Sequence, residues 1–258
     1  INSWDDVLKK KCPELFPKQK WYALWNGVNS AIEALNILDV SQLTHLIPKV
    51  QHWKMIPNFL DRIAYLDIET TGLSPQYSHI TTIAVYDGTR IHDFVRGENL
   101  DEFPPFISKF PAITTFYGKV FDVPFIKKEM GIEFDQIHFD VCFLLRKLKI
   151  KGGLKRIEKR FGIARGEMED LDGYTAVILW NKFKKTKKKE YLETLLAYNN
   201  EDVINLEFLL YQAYNLLIEN ERILINPLEF PKKEIKNPFQ ASKRVVDKIL
   251  GRRINLYS

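Results

Sequence analysis

Residues 63–73, Ile-Ala-Tyr-Leu-Asp-Ile-Glu-Thr-Thr-Gly-Leu, place two acids in a short, otherwise apolar run of β-prone residues. Side chains at i and i+2 of a strand point to the same face, so Asp67 and Glu69 project together. Two carboxylates at roughly 4 Å repel by about 4 kcal/mol at an effective dielectric near 20. A strand gains nothing structural from that repulsion, and a divalent metal ion removes it. Because oxygen ligands without histidine or cysteine favour Mg²⁺ or Mn²⁺ over zinc, the stretch predicts a metal-binding strand.

The residues after this strand predict a sheet that grows outward from it. Two further β-prone runs, 79–86 and 89–95, flank Asp87-Gly88, a dipeptide typical of two-residue hairpin turns. Three sequential antiparallel strands, followed by alternating helices and strands, predict an α/β fold with a mixed five-stranded sheet flanked by helices. The remaining predicted strands are 113–116 and 137–139, and the predicted helices are 101–109, 122–130, 140–148, 153–161, 174–183 and 190–219.

Two later motifs contain acids that would complete a metal site. Asp122 follows the predicted fourth strand at the start of a helix, where capping of that helix and metal binding explain an acid equally well. Asp140, after the predicted fifth strand, is expected to cap the next helix. Tyr198 and Asp202 lie four residues apart in the long last helix and therefore share one face. Asp is a poor residue for a helix interior, so Asp202 on an apolar face predicts a partner such as a metal ion.

The order of these motifs resembles a known family. Asp67-x-Glu69, then Phe121-Asp122, then Tyr198-x-x-x-Asp202 is similar to the DEDD 3′–5′ exonuclease superfamily, which has the ribonuclease H-like fold. The resemblance covers roughly residues 63–215 and narrows to the YprB-like group of predicted exonucleases. The stretches that carry the closer resemblance are 67–73, 116–126, 138–140, 153–158 and 195–206.

The last motif indicates which branch of the superfamily the chain resembles. One branch has histidine five positions before the final acid, where this chain has Ala197, and the other has tyrosine four positions before it, as Tyr198 is here. The chain therefore resembles the tyrosine (DEDDy) branch. Ribonuclease H endonucleases fit less well, because in them the acid partner of the first Asp comes from a distant element. One departure is Tyr117, where the family usually has asparagine, and it bears on substrate choice more than on catalysis.

The resemblance implies a metal-dependent 3′–5′ exonuclease that hydrolyses phosphodiester bonds of single-stranded nucleic acid with two divalent ions, Mg²⁺ or Mn²⁺. It implies that Asp67 bridges both ions and that Glu69 and Asp202 hold the ion carrying the attacking water. Asp122 would support the second ion. Tyr198 would orient the water, since a free tyrosine pKa near 10 argues against a general base.

The resemblance and the local sequence also indicate residues that bind the substrate. By resemblance, the backbone at Thr70 lies against the terminal 3′ hydroxyl and Leu73 against the terminal base. Tyr117 would stack on a base or simply fill space. Lys151 and Lys155 belong to a basic Gly-Gly segment before a helix N-terminus, which suits phosphate, although a plain basic loop explains them as well.

Several alternatives stay open at this stage. DNA is only slightly favoured over RNA as the substrate. An endonuclease or structure-selective nuclease on the same fold is one competing hypothesis, and a nucleic-acid-binding module that has lost catalysis is another. The presence of all four acids and the tyrosine argues against lost catalysis. The sequence indicates no particular protein partner.

The rest of the chain predicts two flanking segments. Trp21, Leu24, Trp25 and Val28 follow the spacing of one helix face, which favours packing onto the main domain over stacking on a base. The basic tail, which includes Arg252-Arg253, would either dock on the domain or contact nucleic acid. The predicted segments are 1–60, a helical aromatic-rich appendage; 61–222, the exonuclease domain; and 223–258, the tail with a short helix.

Charge and cysteine content point to an ordinary cytoplasmic protein. The net charge is +5, and residues 182–189 contain six lysines and no acid, so the excess is local and suits either a phosphate backbone or a solvated loop. Cys12 and Cys142 form no Cys-x-x-Cys pair, which predicts reduced thiols. No apolar run approaches the roughly 18 residues of a membrane helix, and no secretory signal is evident, so we expect a cytoplasmic location without a membrane partner.

Overall fold

The sheet forms around the strand that carries the two acids. The computed structural model describes residues 4–14, 16–233 and 235–251. The strands are β1 (Ile63–Thr70), β2 (Ile80–Tyr86), β3 (Ile91–Val95), β4 (Ala112–Thr115) and β5 (Ile137–Asp140). They pair in the order β3-β2-β1-β4-β5, antiparallel from β3 to β1 and parallel from β1 to β5. The predicted mixed five-stranded sheet is confirmed.

Helices cover both faces of this sheet. The predicted helix 101–109 is a 3₁₀ turn, Leu100–Glu102, followed by a short α-helix. Further 3₁₀ segments are Lys49–Met55 and Gly166–Met168. The α-helices of the described residues are α1 (Trp4–Lys9), α2 (Lys18–Ile37), α3 (Val40–Leu46), α4 (Ile56–Phe59), α5 (Phe103–Ile107), α6 (Asp122–Met130), α7 (Val141–Lys147), α8 (Leu154–Arg160), α9 (Gly173–Thr186), α10 (Lys189–Asn220) and α11 (Lys243–Ile249).

The hairpin between β2 and β3 is confirmed, but its tip lies one residue later than predicted. Asp87 N donates to the Arg90 carbonyl at 3.1 Å, so Gly88 and Thr89 form the tip. Gly88 has φ +90°, a conformation that glycine adopts without steric cost. The Asp87 carboxylate accepts from the backbone N–H groups of Thr89 and Arg90, both at 2.8 Å. These bonds keep the two residues in the turn, so β3 begins at Ile91 and not at Thr89.

The two faces of β1 enter different cores. Ala64, Leu66 and Ile68 pack in the cluster that contains residues of α5 and α6. Ile63 and Tyr65 belong to the cluster that contains residues of α10. Because side chains alternate along a strand, the acids at positions 67 and 69 continue the face that α10 covers.

The helix α10 connects the parts of the molecule. Its 32 residues extend for about 48 Å at 1.5 Å per residue. Its first half packs with α9 and α11, while its second half packs on the sheet. It can therefore bring a side chain from its middle to the end of β1.

The segment 49–59 belongs to the core of the sheet domain. Trp53 is 2% exposed and meets Tyr214 of α10 edge to face, with 5.9 Å between ring centroids. Phe59 is fully buried and contacts Phe139 of β5 in the same manner, at 6.1 Å. This tryptophan thus packs the N-terminal segment onto the main domain, whereas the domain boundary at residue 60 stays a prediction.

The predicted helix face in α2 is only half buried. Trp21 and Val28 pack with Val7 of α1. Leu24 and Trp25 remain 41% and 37% exposed, so the prediction was wrong for these two residues. The reason is that α1 covers only one side of α2, and Leu24 borders an open apolar groove.

The C-terminal tail docks along α10 over the part that is described. Lys233 Nζ donates at 2.8 Å both to Glu207 Oε1 and to the Gly88 carbonyl. Val245 and Val246 of α11 are each 1% exposed and share a cluster with α9 and α10. Arg252-Arg253 and the residues after them lie outside the described part of the chain.

Across the described ranges, no helix combines the length and apolar character needed to cross a bilayer.

Candidate active site

Three acids converge where β1 ends. Asp67, Glu69 and Asp202 each offer one carboxylate oxygen, and these oxygens lie within 4.8 Å of one another. The register of β1 against β2 shifts between Glu69 and Thr70, an irregularity of the kind that re-aims side chains near functional sites. The strand brings two of the acids together locally, and α10 brings the third.

Tyr198 lies one helical turn before Asp202, as their spacing predicts, and is 6% exposed. Two cations lie over its ring: Lys155 Nζ at 5.1 Å and Arg165 Cζ at 5.7 Å from the centroid. Such contacts fix the ring beside the acids. Burial, and then the charges of Asp202 and Glu69, raise the pKa of Tyr198, so the phenol stays protonated at neutral pH.

Asp122 lines the same cleft as these three acids. It is the first residue of α6, and its Oδ1 accepts from Ile68 N at 3.2 Å. The N-cap position of α6 belongs to Phe121, and no side chain caps that helix end. Capping therefore does not account for Asp122, which is 4% exposed and tied to the acid-bearing strand.

A buried ion network holds Asp202, and the sequence did not suggest it. Arg165 donates from Nε to Glu158 Oε2 at 2.6 Å and from Nη2 to Glu158 Oε1 at 2.5 Å. The same Nη2 also donates to Asp202 Oδ1. Asn205 Nδ2 donates to Glu158 Oε1 at 2.9 Å. Since the Arg165 and Glu158 side chains are only 2% and 1% exposed, this network fixes one oxygen of Asp202 in a dry environment.

An asparagine holds Asp67 in a similar manner. Asn199 Nδ2 donates to Asp67 Oδ2 at 2.7 Å, while Asn199 Oδ1 accepts from Thr82 Oγ1 at 2.9 Å. Thr82 lies on β2 directly opposite Glu69. Asn199 adjoins Tyr198 in the sequence, but nothing local distinguishes it from an ordinary surface asparagine, so it was also missed.

Burial and mutual repulsion disfavour the ionised form of these acids when no cation is bound. Burial, and then the charges of Asp202 and Asp122, raise the pKa of both Asp67 and Glu69 well above their ordinary values. Burial raises the pKa of Asp122 to about 7, although bonds from backbone N–H groups oppose the shift. Burial also raises the pKa of Asp202 to about 6, against the opposing effect of Arg165.

The donor set fits a divalent cation. All the clustered ligands are carboxylate oxygens, the type that Mg²⁺ and Mn²⁺ prefer. Each pair of charges at 4.8 Å repels by about 3.5 kcal/mol at an effective dielectric of 20. A bound cation reverses the sign of that interaction and lowers the pKa of every acid around it.

The acids open into a cleft of about 570 Å³. Of the predicted substrate-binding residues, Thr70, Leu73 and Tyr117 line this cleft, and Leu73 is 86% exposed. Lys155 lies beside it, over the Tyr198 ring. Lys151 is exposed and does not line the cleft. The cleft is also lined by Gly173, Tyr174 and Val177 of α9.

Tyr117 adopts a backbone conformation that costs energy. Its φ is +66°, in the left-handed region that bulky residues rarely occupy. Asp140 stabilises it there, accepting from Tyr117 N at 2.9 Å and from Lys119 N at 3.0 Å. Asp140 also caps α7 through Phe143 N at 3.4 Å, as the sequence predicted. This backbone conformation places the aromatic ring of Tyr117 on the wall of the cleft.

This sheet order, with acids at the end of β1 and on the helix that covers it, defines an α/β fold of the ribonuclease H type. The chain belongs to the RNase_H superfamily, whose family model matches residues 64–214. The ribonuclease H-like family that the acidic motifs indicated is thereby confirmed, while the tyrosine (DEDDy) branch stays a prediction.

Individual relatives agree with this assignment. The "Uncharacterized protein YprB" of Bacillus subtilis (strain 168) is 26% identical over 198 residues, 67% of this chain and 46% of that protein. The predicted similarity to YprB is therefore confirmed, and this chain spans less than half of YprB's length. The family B DNA polymerase from the hyperthermophilic archaeon Pyrobaculum calidifontis aligns with a TM-score of 0.50 and 18% identity. That alignment covers 61% of this chain and 25% of the polymerase chain, and it concerns the fold alone.

Brucella melitensis NrnC bound to pGG aligns more weakly, with a TM-score of 0.45 and 16% identity over 65% of this chain and 78% of NrnC.

Proposed function

We propose that this chain is a divalent-metal-dependent 3′–5′ exonuclease that hydrolyses single-stranded nucleic acid, with DNA slightly favoured over RNA. The observation that carries the proposal is the convergence of Asp67, Glu69 and Asp202 within 4.8 Å at one end of a cleft. Asp122, which lines the same cleft, completes the four acids. The direction of degradation follows the resemblance to the DEDD exonucleases.

The chain's own residues would divide the work as follows. Asp67, Glu69 and Asp202 would hold one divalent ion, and Asp67 with Asp122 a second. Bound divalent ions would activate water and stabilise the charge that develops on the phosphate. Tyr198, protonated because its pKa is raised, would donate a hydrogen bond that orients the attacking water.

Other residues would position the strand. Thr70 and Leu73 lie on the cleft wall where the strand carrying the acids ends, which suits the terminal nucleotide. Lys155, beside Tyr198, would neutralise a phosphate oxygen. Burial, and then the charge of Arg165, lower the pKa of Lys155 against the opposing charge of Asp202, so an incoming phosphate would favour the charged form of this lysine.

The test uses end-labelled and circular single strands of DNA and RNA with Mg²⁺ or Mn²⁺. An exonuclease shortens linear strands from the 3′ end and leaves circles intact. The Asp67→Ala and Asp202→Ala variants should degrade neither while keeping the circular dichroism spectrum of the wild type. Full activity in either variant would sink the assignment, and cutting of circles would favour the endonuclease alternative.

One observation favours a second candidate, a nucleic-acid-binding module without catalysis. Asp202 already has a cationic partner in Arg165, so the network is partly satisfied without a metal ion. Calorimetric titration with Mn²⁺ separates the two hypotheses. Binding that disappears in Asp67→Ala supports the exonuclease, whereas no heat of binding in the wild type supports the silent module.

A further inference from the structure

A second cleft, next to the candidate active site, has a strongly cationic lining. This recess, of about 170 Å³, is bounded by Lys49, His52, Lys119, His138 and Lys147. The described residues that line it include one acid, Asp140, against three lysines. Both Asp140 oxygens already accept backbone N–H bonds, from Tyr117 and Lys119. The recess therefore has more positive charge than its own acid neutralises.

A tryptophan with an unpaired donor is part of the recess lining. Trp53, which lines it, is 2% exposed, and its indole Nε1–H has no hydrogen-bond partner among the described residues. A buried donor left unpaired costs about 1–3 kcal/mol, so such groups are usually satisfied by water or a ligand. An anion with several oxygens would pair with the lysines of the recess.

The recess and the active-site cleft share one wall. Tyr117 lines the cleft, Phe143 lines the recess, and their rings stack with 6.0 Å between centroids and 11° between planes. Arg146 Cζ lies over both rings, at 5.0 Å from Tyr117 and 5.3 Å from Phe143. Stacked aromatic rings with a cation beside them suit a nucleotide whose base lies against the rings and whose backbone phosphate lies near the cation.

The strand spacing of the sheet sets the distance between the active-site acids and the recess. Asp67 lies on β1 and Asp140 on β5, two strand spacings apart, which is about 10 Å. A single strand with its 3′ end at the acids can therefore reach the recess within a few nucleotides. The N-terminal segment supplies Lys49, His52 and Trp53 to the lining of the recess.

We propose that this recess binds a phosphate group of the substrate strand, a few nucleotides from the end held at the acids. The inference rests on the proposed function for its substrate, but its test does not depend on cleavage. The phosphate is either an internal phosphodiester or the 5′-terminal phosphate of a short strand, and the two share the chemistry described above.

The test measures binding in the Asp67→Asn background, so that no strand is degraded. Fluorescence anisotropy follows internally labelled oligonucleotides of increasing length, with 5′-phosphate or 5′-hydroxyl ends. Lys49→Gln/Lys147→Gln should weaken binding of long strands about 10-fold and leave the dinucleotide unchanged. In a plot of log affinity against log salt concentration, the slope should become less steep by about 0.7 for each phosphate that no longer has a lysine partner.

Controls make the result specific. Lys184→Gln/Lys185→Gln removes two exposed lysines from the 182–189 run and should keep wild-type affinity. If Lys147→Gln perturbs folding, seen as a lower melting temperature, Lys49→Gln alone gives the answer, because Lys49 is exposed. A 5′-phosphate that strengthens binding at one length only identifies a terminal phosphate, and equal affinity with either end identifies an internal one.

Two outcomes overturn the inference: unchanged affinity and salt dependence in the Lys49 variants, or an equal loss in the control pair. If the wild type cleaves nothing but binding still depends on Lys49, the proposed function fails and the recess stands. If cleavage is confirmed and the Lys49 variants bind normally, the recess fails alone.

Discussion

Asp87 in the turn between β2 and β3 and Asp67 near the end of β1 lie in adjacent parts of the sheet. Their surroundings shift the carboxylate pKa in opposite directions. Asp87 accepts from Thr89 N, Thr89 Oγ1 and Arg90 N, and pairs with His92 Nε2 at 2.7 Å. Burial acts to raise the pKa of Asp87, but these bonds outweigh it and lower the pKa to about 2. Asp67 accepts from Asn199, and burial, followed by the charges of the other acids, raises its pKa.

The difference separates acids that stabilise the fold from acids that are placed for a ligand. A carboxylate placed for folding receives donors, while a carboxylate placed for a cation keeps its oxygens available and lowers the stability of the empty protein. Asp202 is intermediate, because Arg165 occupies one of its oxygens. Each part of this contrast can be tested by substitution.

The largest effect is expected on catalysis. Asp67→Asn should lower the rate of metal-dependent hydrolysis at least about 10,000-fold, a loss of more than about 5 kcal/mol in transition-state stabilisation, because a neutral amide cannot hold the cation. Asp87→Asn, the matched control, should leave the rate per folded molecule unchanged. Single-turnover cleavage of a labelled strand measures both. Similar losses in the two variants would break the contrast.

The next effect concerns the network behind Asp202. Arg165→Met leaves the buried Glu158 charge without its cation and should lower the free energy of unfolding by about 3–5 kcal/mol. Arg165→Met/Glu158→Gln removes both charges and should recover most of that loss, while Asp202 loses its fixed orientation and needs more Mg²⁺ for half-maximal rate. Urea denaturation and metal titration give the two quantities. A double variant as unstable as the single one would contradict the account.

How far the sequence anticipated the molecule depends on the range of the interactions involved. Strand alternation and helix periodicity are local, and they predicted β1 to β5, the pairing of Asp67 with Glu69 and the shared face of Tyr198 and Asp202. The hairpin was misplaced by one residue because its tip depends on bonds from backbone N–H groups to the Asp87 side chain, which a dipeptide rule does not include.

The residues that were missed act over long range. Arg165 follows α8 and meets Asp202 of α10 only after the chain has folded, so neither its burial nor its partner has a local signature. Asn199 and Thr82 are ordinary polar residues until the sheet brings them together. The same holds for the recess, whose lysines come from three separate segments.

A smaller effect is expected on stability, and its sign should differ between the two kinds of acid. The raised pKa of Asp122, about 7, means that the wild type loses stability as pH rises from about 4 to 7. Asp122→Asn should therefore stabilise the metal-free protein at pH 8 by up to about 4 kcal/mol, and by less at pH 5. The lowered pKa of Asp87, about 2, contributes stability that is present above about pH 4 and lost as pH falls through 2.

Asp87→Asn should accordingly destabilise the protein by about 2 kcal/mol at both pH 5 and pH 8. Urea denaturation in the presence of a chelator measures all four values. The comparison fails if Asp122→Asn destabilises the metal-free protein at pH 8, or if Asp87→Asn stabilises the protein at either pH.

The smallest change in rate is expected from substitution of Tyr198, which lies beside the acids but has no carboxylate. Tyr198→Phe keeps the ring that contacts Lys155 and Arg165 and removes only the hydroxyl. The loss of one positioning hydrogen bond should lower kcat about 10-fold and leave KM unchanged, since such bonds contribute about 0.5–1.5 kcal/mol. Tyr191→Phe replaces a buried tyrosine two turns earlier on α10; it is the control and should keep the wild-type rate.

Because the pKa of Tyr198 is raised, the wild-type rate should show no inflection near pH 10, where a free tyrosine ionises. An inflection there, or a rise in KM alone, would show that the phenol acts as a base or a binding group and not as a fixed donor to the attacking water.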